Sequence, residues 1–153
     1  MKLSPHFTLE EFLRSETAAR HDINMTPPSA VLANLERLAN EILEAIRQAV
    51  GGPIHITSGY RPLTLNNLVG GARNSDHLTG SAADIYALEL ELYEFAETCR
   101  FICNSLPVKQ CILEFPPEGW IHVSIAPLGA LPEREYLTAL RRDGQTVYEV
   151  WDA

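Results

Sequence analysis

The sequence is short of basic residues, cysteines and long apolar runs, and each shortage excludes a class of protein. It has 12 Lys and Arg against 20 Asp and Glu among its 153 residues, which gives a formal net charge of −8. Proteins that bind nucleic acid by counterion release need clustered basic residues, and the densest cluster here is the isolated pair Arg141-Arg142. Nucleic acids, acidic membranes and acidic polymers are therefore not expected as partners.

Long apolar segments are also missing. No apolar run approaches the roughly 18 residues that a membrane-spanning helix requires. Residues 1–7 lack an apolar stretch of the length found in signal peptides. From the sequence we therefore expect no membrane association and a protein that is cytoplasmic as synthesised.

The few cysteines indicate thiols rather than a structural framework. Cys99, Cys103 and Cys111 are an odd number, and they lack the paired spacing of a zinc ribbon. Their expected state is reduced and buried. A chain of this length buries roughly two-thirds of its unfolded surface and needs neither a disulfide nor a metal to fold. A metal site in this chain would therefore serve chemistry.

Apolar spacing and turn residues predict helices early in the chain and strands later. A capping-box pattern begins at Thr8, and a long amphipathic helix runs from Ser29 until Gly51 and Gly52 stop it. A second long helix is expected over residues 89–104. The expected strands cover residues 54–57, 82–86, 108–115, 120–125, 135–140 and 146–150, the last two joined by an Asp-Gly turn. Residues 58–74 are expected to be irregular and functional.

The order of these elements predicts the α+β fold class, with N-terminal helices packed on a small antiparallel sheet. The sequence contains no internal repeat, low-complexity tract or linker. It therefore predicts a single domain over residues 1–153.

Two histidines and one aspartate lie in unusual settings. His77 is in a loop seven positions before Asp84, which lies among small residues on a predicted strand. A buried carboxylate without a partner is costly, and a cation would stabilise it. Strand alternation places His122 on one face with Trp120 and Ser124. Two imidazoles and one carboxylate are typical of catalytic zinc, with a fourth position left for water. The spacing equally allows a hydrogen-bonded core His122 and a His77 that caps a turn.

Three motifs resemble those of the zinc D-Ala-D-Ala carboxypeptidase family, namely Ser75-x-His77-x-x-Gly80-x-Ala82-x-Asp84, Trp120-Ile121-His122-Val123-Ser124 and Ser58-Gly59-Tyr60-Arg61. That family includes phage endolysins and, more remotely, the hedgehog signalling domain. The N-terminal segments 7–12 and 15–18 resemble its phage and prophage branch. The resemblance implies a hedgehog-like, D-Ala-D-Ala peptidase-like fold in which Zn²⁺ is bound by His77, Asp84 and His122.

A metallopeptidase also needs a general base, and a glutamate near the zinc is the usual choice. The candidates are Glu114, on the strand before the predicted hairpin, and Glu118, in the hairpin turn. Several relatives carry the acid three positions ahead of the last histidine, where this chain has Gly119. The segment Ile112-Leu113-Glu114-Phe115 resembles the hedgehog-like and phage-like branches and favours Glu114. The competing interpretation is that Glu114 is an ordinary exposed strand residue.

Arg61 is the predicted substrate-binding cation. It follows a strand and lies in a glycine-containing turn, which suits a guanidinium directed into a cleft. Its forked donors can hold a substrate carboxylate or polarise the scissile carbonyl, and the resemblance implies both roles. The alternative is a surface arginine paired with an acid. Ser75 is also expected to shape the His77 loop. The other predicted substrate-binding residues are Tyr60, Ser75 and Trp120.

Together these residues predict a zinc-dependent metallopeptidase that cleaves peptidoglycan stem peptides. The bond is either D-Ala-D-Ala, cut by a carboxypeptidase, or an internal link such as L-Ala-D-Glu, cut by an endolysin-type endopeptidase. The alternatives are a non-catalytic zinc-binding phage module and a domain without metal. Because the net charge is −8, Coulomb attraction cannot hold the protein on an anionic cell wall. Phage lysis or tail machinery would have to release it there.

Overall fold

The computed structural model describes residues 1–152 and contains both expected layers, helices and a sheet. The α-helices are α1 (Leu9–Leu13), α2 (Glu16–Arg20), α3 (Ser29–Leu38), α4 (Glu44–Val50), α5 (Leu63–Leu68) and α6 (Leu92–Cys103). The strands are β1 (Ile54–Ser58), β2 (Ala82–Ala87), β3 (Val108–Glu114), β4 (Trp120–Ile125), β5 (Glu135–Arg142) and β6 (Gln145–Val150). A short 3₁₀ helix covers Asp76–Thr79.

The predicted long helix is confirmed, with one irregularity. A π-helical turn over Ala39–Leu43 joins α3 to α4, and the helix ends at Gly51, whose φ of 76° is left-handed. Glycine adopts that conformation without steric cost, which is why the helix stops there. On the apolar stripe of the helix, Leu35, Ile42 and Ile46 are fully buried, and Leu32 and Val50 are partly buried. The capping box at Thr8 is also present.

The α+β class is confirmed, and the six predicted strands form one sheet that is mixed rather than antiparallel throughout. Its six strands follow the order β1-β2-β4-β3-β5-β6. Neighbouring strands are antiparallel except β3 and β5, which are parallel. The parallel pair arises because β4 ends beside the start of β3, where Ile125 faces Val108. Residues 126–134 then carry the chain to the other edge of β3 at the same end, where Glu135 faces Gln110.

The segment 58–74, which the sequence predicts to be irregular, contains a helix that the sequence pattern does not predict. α5 has only six residues and exposes the apolar side chains of Leu63 and Leu68. On its other face, Leu65 and Asn66 are buried. The side-chain amide of Asn66 donates a hydrogen bond to the Ala72 carbonyl at 2.9 Å. Tertiary contacts therefore stabilise α5, since isolated helices of this length are marginal in water.

The two faces of the sheet have different roles. Strand alternation buries Ala83, Ile85, Ile121 and Val123 in the hydrophobic core that α3, α4 and α6 cover. The opposite face carries the polar residues discussed below. The three cysteines are buried and free, as predicted. Within residues 1–152, no helix has both the length and the apolar character needed to cross a membrane.

Candidate metal centre

His77, Asp84 and His122 lie together on the face of the sheet away from the helices. Asp84 on β2 and His122 on β4 are paired directly across the two strands. His77 comes from the 3₁₀ helix, and all three side chains are buried. One ligand atom from each residue lies within 4.8 Å of the other two, so the three can hold one metal ion.

The donor atoms have the spacing of a tetrahedral site. Asp84 Oδ1 lies 3.3 Å from His77 Nε2 and 3.0 Å from His122 Nδ1. Ligands bound at the usual zinc distances near 2.0–2.1 Å are separated by roughly 3.3 Å along a tetrahedron edge. Two imidazole nitrogens and one carboxylate oxygen also match the donor set of open, catalytic zinc sites. The donor set and the two separations from Asp84 therefore fit a zinc ion.

A hydrogen bond at the ring nitrogen that does not face the cluster fixes the orientation of His77. Its Nδ1 donates a hydrogen bond to the Gly59 carbonyl at 2.7 Å, which leaves the Nε2 lone pair directed at the site. The backbone N–H of His77 donates to the Ser75 hydroxyl at 3.2 Å, so Ser75 shapes this loop. Gly59 packs so tightly on α1 that a Cβ atom would lie 2.5 Å from the Phe12 carbonyl oxygen. The N-terminal helix thus positions a metal-site histidine.

Asp84 is held as an anion. Its burial would by itself raise the pKa of the carboxyl group. The neighbouring imidazoles of His77 and His122 attract and hydrogen-bond the carboxylate, and they hold its pKa well below the usual range. Asp84 therefore presents the negative charge that a cation requires.

Glu114 and Glu118 lie on different sides of the hairpin between β3 and β4. Glu114 lines the cleft over the three-residue cluster, with Oε1 3.7 Å from His122 Nδ1. Burial, followed by the negative charge of Asp84, raises the pKa of Glu114 to about 7. Glu118 is exposed and lines a separate pocket that does not contain the cluster. At Gly119 a Cβ atom would lie 1.6 Å from the Glu114 carbonyl oxygen, so no side chain fits there.

The cleft above the cluster has a volume of about 530 Å³. Arg61, Ser75 and Trp120, three of the predicted substrate-binding residues, line it. Burial lowers the pKa of the Arg61 guanidinium, and the nearby carboxylates of Asp84 and Glu114 raise it. Two buried donors in the cleft, Arg61 Nε and Trp120 Nε1, have no hydrogen-bond partner among residues 1–152.

Tyr60 does not line this cleft, although the sequence predicts it as a substrate-binding residue. Its side chain is only 7% exposed and packs in the hydrophobic core. The reason is its backbone, whose N–H donates to the Phe12 carbonyl at 2.9 Å and turns the residue toward α1. Arg61, the next residue, faces the cleft instead.

Several cleft residues are not predicted from the sequence. Lys109 on β3 pairs with Asp76 at 3.0 Å and ties the His77 loop to the sheet. The β5–β6 hairpin forms one wall of the cleft with Leu137, Arg141, Thr146 and Tyr148. The hairpin itself is predicted by its Asp-Gly turn, where Asp143 and Gly144 have φ values of 50° and 75°. No spacing in the sequence connects it to the metal ligands.

Comparison with known proteins identifies the family of this site. A family model described as Peptidase M15 matches residues 5–124, which include all three ligand candidates, Arg61 and Glu114. The chain belongs to the Peptidase M15 family. The matched M15 region ends at β4, so the β5–β6 hairpin lies outside it.

One relative of this M15 chain is the zinc D-Ala-D-Ala carboxypeptidase of Streptomyces albus G. The two sequences are 50% identical over 59 residues, which are 38% of this chain and 23% of the relative. The match therefore covers about a quarter of the relative's length. Neither comparison bears on the phage and prophage branch of the resemblance, which stays a prediction.

Proposed function

We propose that residues 1–153 form a single zinc peptidase domain that hydrolyses a peptide bond in peptidoglycan stem peptides. The observation that carries this proposal is the buried cluster of His77, Asp84 and His122, with tetrahedral donor spacing and a glutamate beside it. Family membership and the zinc carboxypeptidase relative support the same activity. The enzyme would be a hydrolase with one bound Zn²⁺.

Zn²⁺ bound by these three residues would polarise a substrate carbonyl and lower the pKa of water at its open position. Glu114, on the cleft side of His122, would accept a proton from the attacking water and pass it to the leaving amine. Arg61 would donate hydrogen bonds to a substrate carboxylate or to the carbonyl oxygen as negative charge develops there. Ser75 and Trp120 would line the substrate site.

The cleaved bond distinguishes two versions of this proposal. The name of the relative suggests a carboxypeptidase. In that version, Arg61 would bind the terminal carboxylate of D-Ala-D-Ala. In an endolysin-type endopeptidase, the cleft would accept an internal link such as L-Ala-D-Glu. Release to the cell wall by phage machinery is part of the endolysin version.

A non-catalytic zinc-binding phage module is the competing proposal, and it requires that no base face the metal site. The placement of Glu114, which lines the cleft 3.7 Å from His122, favours catalysis. In the peptidase proposal, Glu114 would take the role of the acid that relatives carry at the position of Gly119.

The deciding experiment combines metal analysis with product analysis. Purified protein is expected to contain about one zinc per chain. When it is incubated with peptidoglycan, we expect it to release peptides that mass spectrometry can identify. The His122→Ala variant should lose both zinc and activity. Unchanged zinc content and activity in that variant would exclude the proposed site. Zinc binding without any released peptide would favour the non-catalytic module.

A further inference from the structure

The cleft runs across the strands, and a guanidinium lies at each end of it. Arg61 follows β1 at one end, and Arg141 on β5 lies at the other. The strand order places Asp84, His122 and Glu114 between them, on β2, β4 and β3. A ligand that crosses the metal site along the cleft therefore passes both arginines.

Arg141 is held in place without a charged partner. Its guanidinium stacks over the Phe115 ring, with Cζ 5.1 Å from the ring centroid, and Phe115 in turn packs edge-on against Trp120. Within residues 1–152, Arg141 makes neither an ion pair nor a side-chain hydrogen bond. The next residue, Arg142, alternates to the other face of the strand and pairs with Glu149 at 2.7 Å. Arg141 thus keeps all its donors free.

Tyr148 on β6 flanks the same end of the cleft. Strand register places it beside Ala139, which in turn is beside Glu114 on β3. Because Ala139 is small, the phenol ring can extend over it toward Glu114. The pKa of Tyr148 is raised first by burial and then by the charges of Glu114 and Asp84, which agrees with this position. The end of the cleft at Arg141 is therefore an open subsite, flanked by the half-exposed Tyr148, with one cation that has no charged partner among residues 1–152.

We propose that Arg141, flanked by Tyr148, forms a second anionic subsite that binds a carboxylate of the peptide substrate on the side of the metal cluster opposite Arg61. The proposal rests on the proposed peptidase function and adds a determinant of specificity to it. Arg141 lies two strands from His122 and four residues along β5 from Leu137, the residue in register with His122, so the two Cα atoms are roughly 16 Å apart at the usual strand spacings. An extended peptide advances about 3.3 Å per residue and the long arginine side chain shortens the gap, so the recognised carboxylate lies about three to five residues from the scissile bond.

The test compares two peptides that differ only in that carboxylate. The probes are acetyl-L-Ala-D-Glu-L-Lys-D-Ala-D-Ala and the same peptide with D-Gln in place of D-Glu. Calorimetric titration of the metal-free full chain measures binding without hydrolysis. Wild type is expected to bind the acid about tenfold more tightly than the amide, as is typical of one charge-assisted contact. Arg141→Gln should abolish the difference, and Arg141→Lys should restore part of it.

The matched control is Arg142→Gln, because Arg142 is adjacent in sequence but already paired with Glu149 on the opposite face. This variant should keep the wild-type preference for the acid. Circular dichroism should show that all variants are folded, since both arginines are exposed. A wild type with no preference for the acid, including no measurable binding of either peptide, would overturn the proposal. So would an Arg141→Gln variant that retains the preference.

A separate measurement distinguishes this proposal from the proposed function. The zinc-loaded wild type is incubated with both peptides, and hydrolysis is followed by mass spectrometry. If the protein binds the acid through Arg141 but cleaves neither peptide, the peptidase function fails and the anionic subsite stands. If it cleaves both peptides and Arg141→Gln leaves the binding preference unchanged, the subsite fails and the peptidase function stands.

Discussion

Replacement of Glu114 by Gln is the sharpest test of the proposed chemistry. The substitution preserves the size of the side chain but removes the carboxylate that would act as a base. Glu114 is not one of the three clustered donors, and its Oε1 lies 3.7 Å from His122 Nδ1. The variant should therefore bind zinc with unchanged stoichiometry and be as stable as the wild type to within about 1 kcal/mol.

The expected loss is in turnover. A positioned general base contributes about 10²–10⁴-fold to a rate, which corresponds to roughly 3–5 kcal/mol of activation free energy. If Glu114 acts on the water and the leaving group as proposed, kcat should fall by that factor while KM changes little. The assay measures peptide release by mass spectrometry together with zinc content by elemental analysis.

Glu118→Gln is the matched control, because it makes the same chemical change four residues away. Glu118 is exposed and lines a different pocket, so its variant should retain wild-type kcat. The reasoning would be refuted if Glu118→Gln lost activity while Glu114→Gln kept it. Loss of zinc from Glu114→Gln would show instead that Glu114 is a metal ligand.

Three further predictions follow from the geometry. Asp84→Asn removes the only anionic donor of the cluster, so equilibrium dialysis should show zinc affinity reduced at least about 100-fold, and retained affinity would contradict the assigned ligand set. Gly119→Ala places a methyl group 1.6 Å from a carbonyl oxygen and should lower the free energy of unfolding in urea by about 3 kcal/mol, whereas a change below about 1 kcal/mol would contradict the packing. Burial raises the pKa of the Cys99 thiol, and a hydrogen bond with Cys103 followed by burial raises the pKa of Cys111, so iodoacetamide should label neither in the native protein and both after denaturation; native labelling, detected by mass spectrometry, would contradict their burial.

The elements that could be predicted from the sequence are those whose signals are local. The long helix depends on apolar residues three and four positions apart and on Gly51, and both are visible within one segment of chain. The Asp143-Gly144 turn likewise specifies its own hairpin, because both residues adopt positive φ. These features were present in the structure where the sequence placed them.

The features that escaped prediction depend on distant parts of the chain. α5 is stabilised by the burial of Leu65 and Asn66, and its own six residues carry no strong helical pattern. The parallel pairing of β5 with β3 depends on the path of residues 126–134, which no strand pattern encodes. Tyr60 turned toward the core because its N–H meets the carbonyl of Phe12, 48 positions earlier in the chain.

The sequence by itself indicated the metal ligand candidates through a short, specific motif that resembles that of a zinc peptidase family, whereas the spacing of His77, Asp84 and His122 alone also allowed a site without metal. It did not decide between Glu114 and Glu118 or indicate Arg141. Those assignments depend on which side of a hairpin a carboxylate faces and on which strands are neighbours. Coulomb interactions and burial depend on distances between residues in space. Only the tertiary structure sets those distances, because it pairs the strands in the order β2-β4-β3-β5-β6.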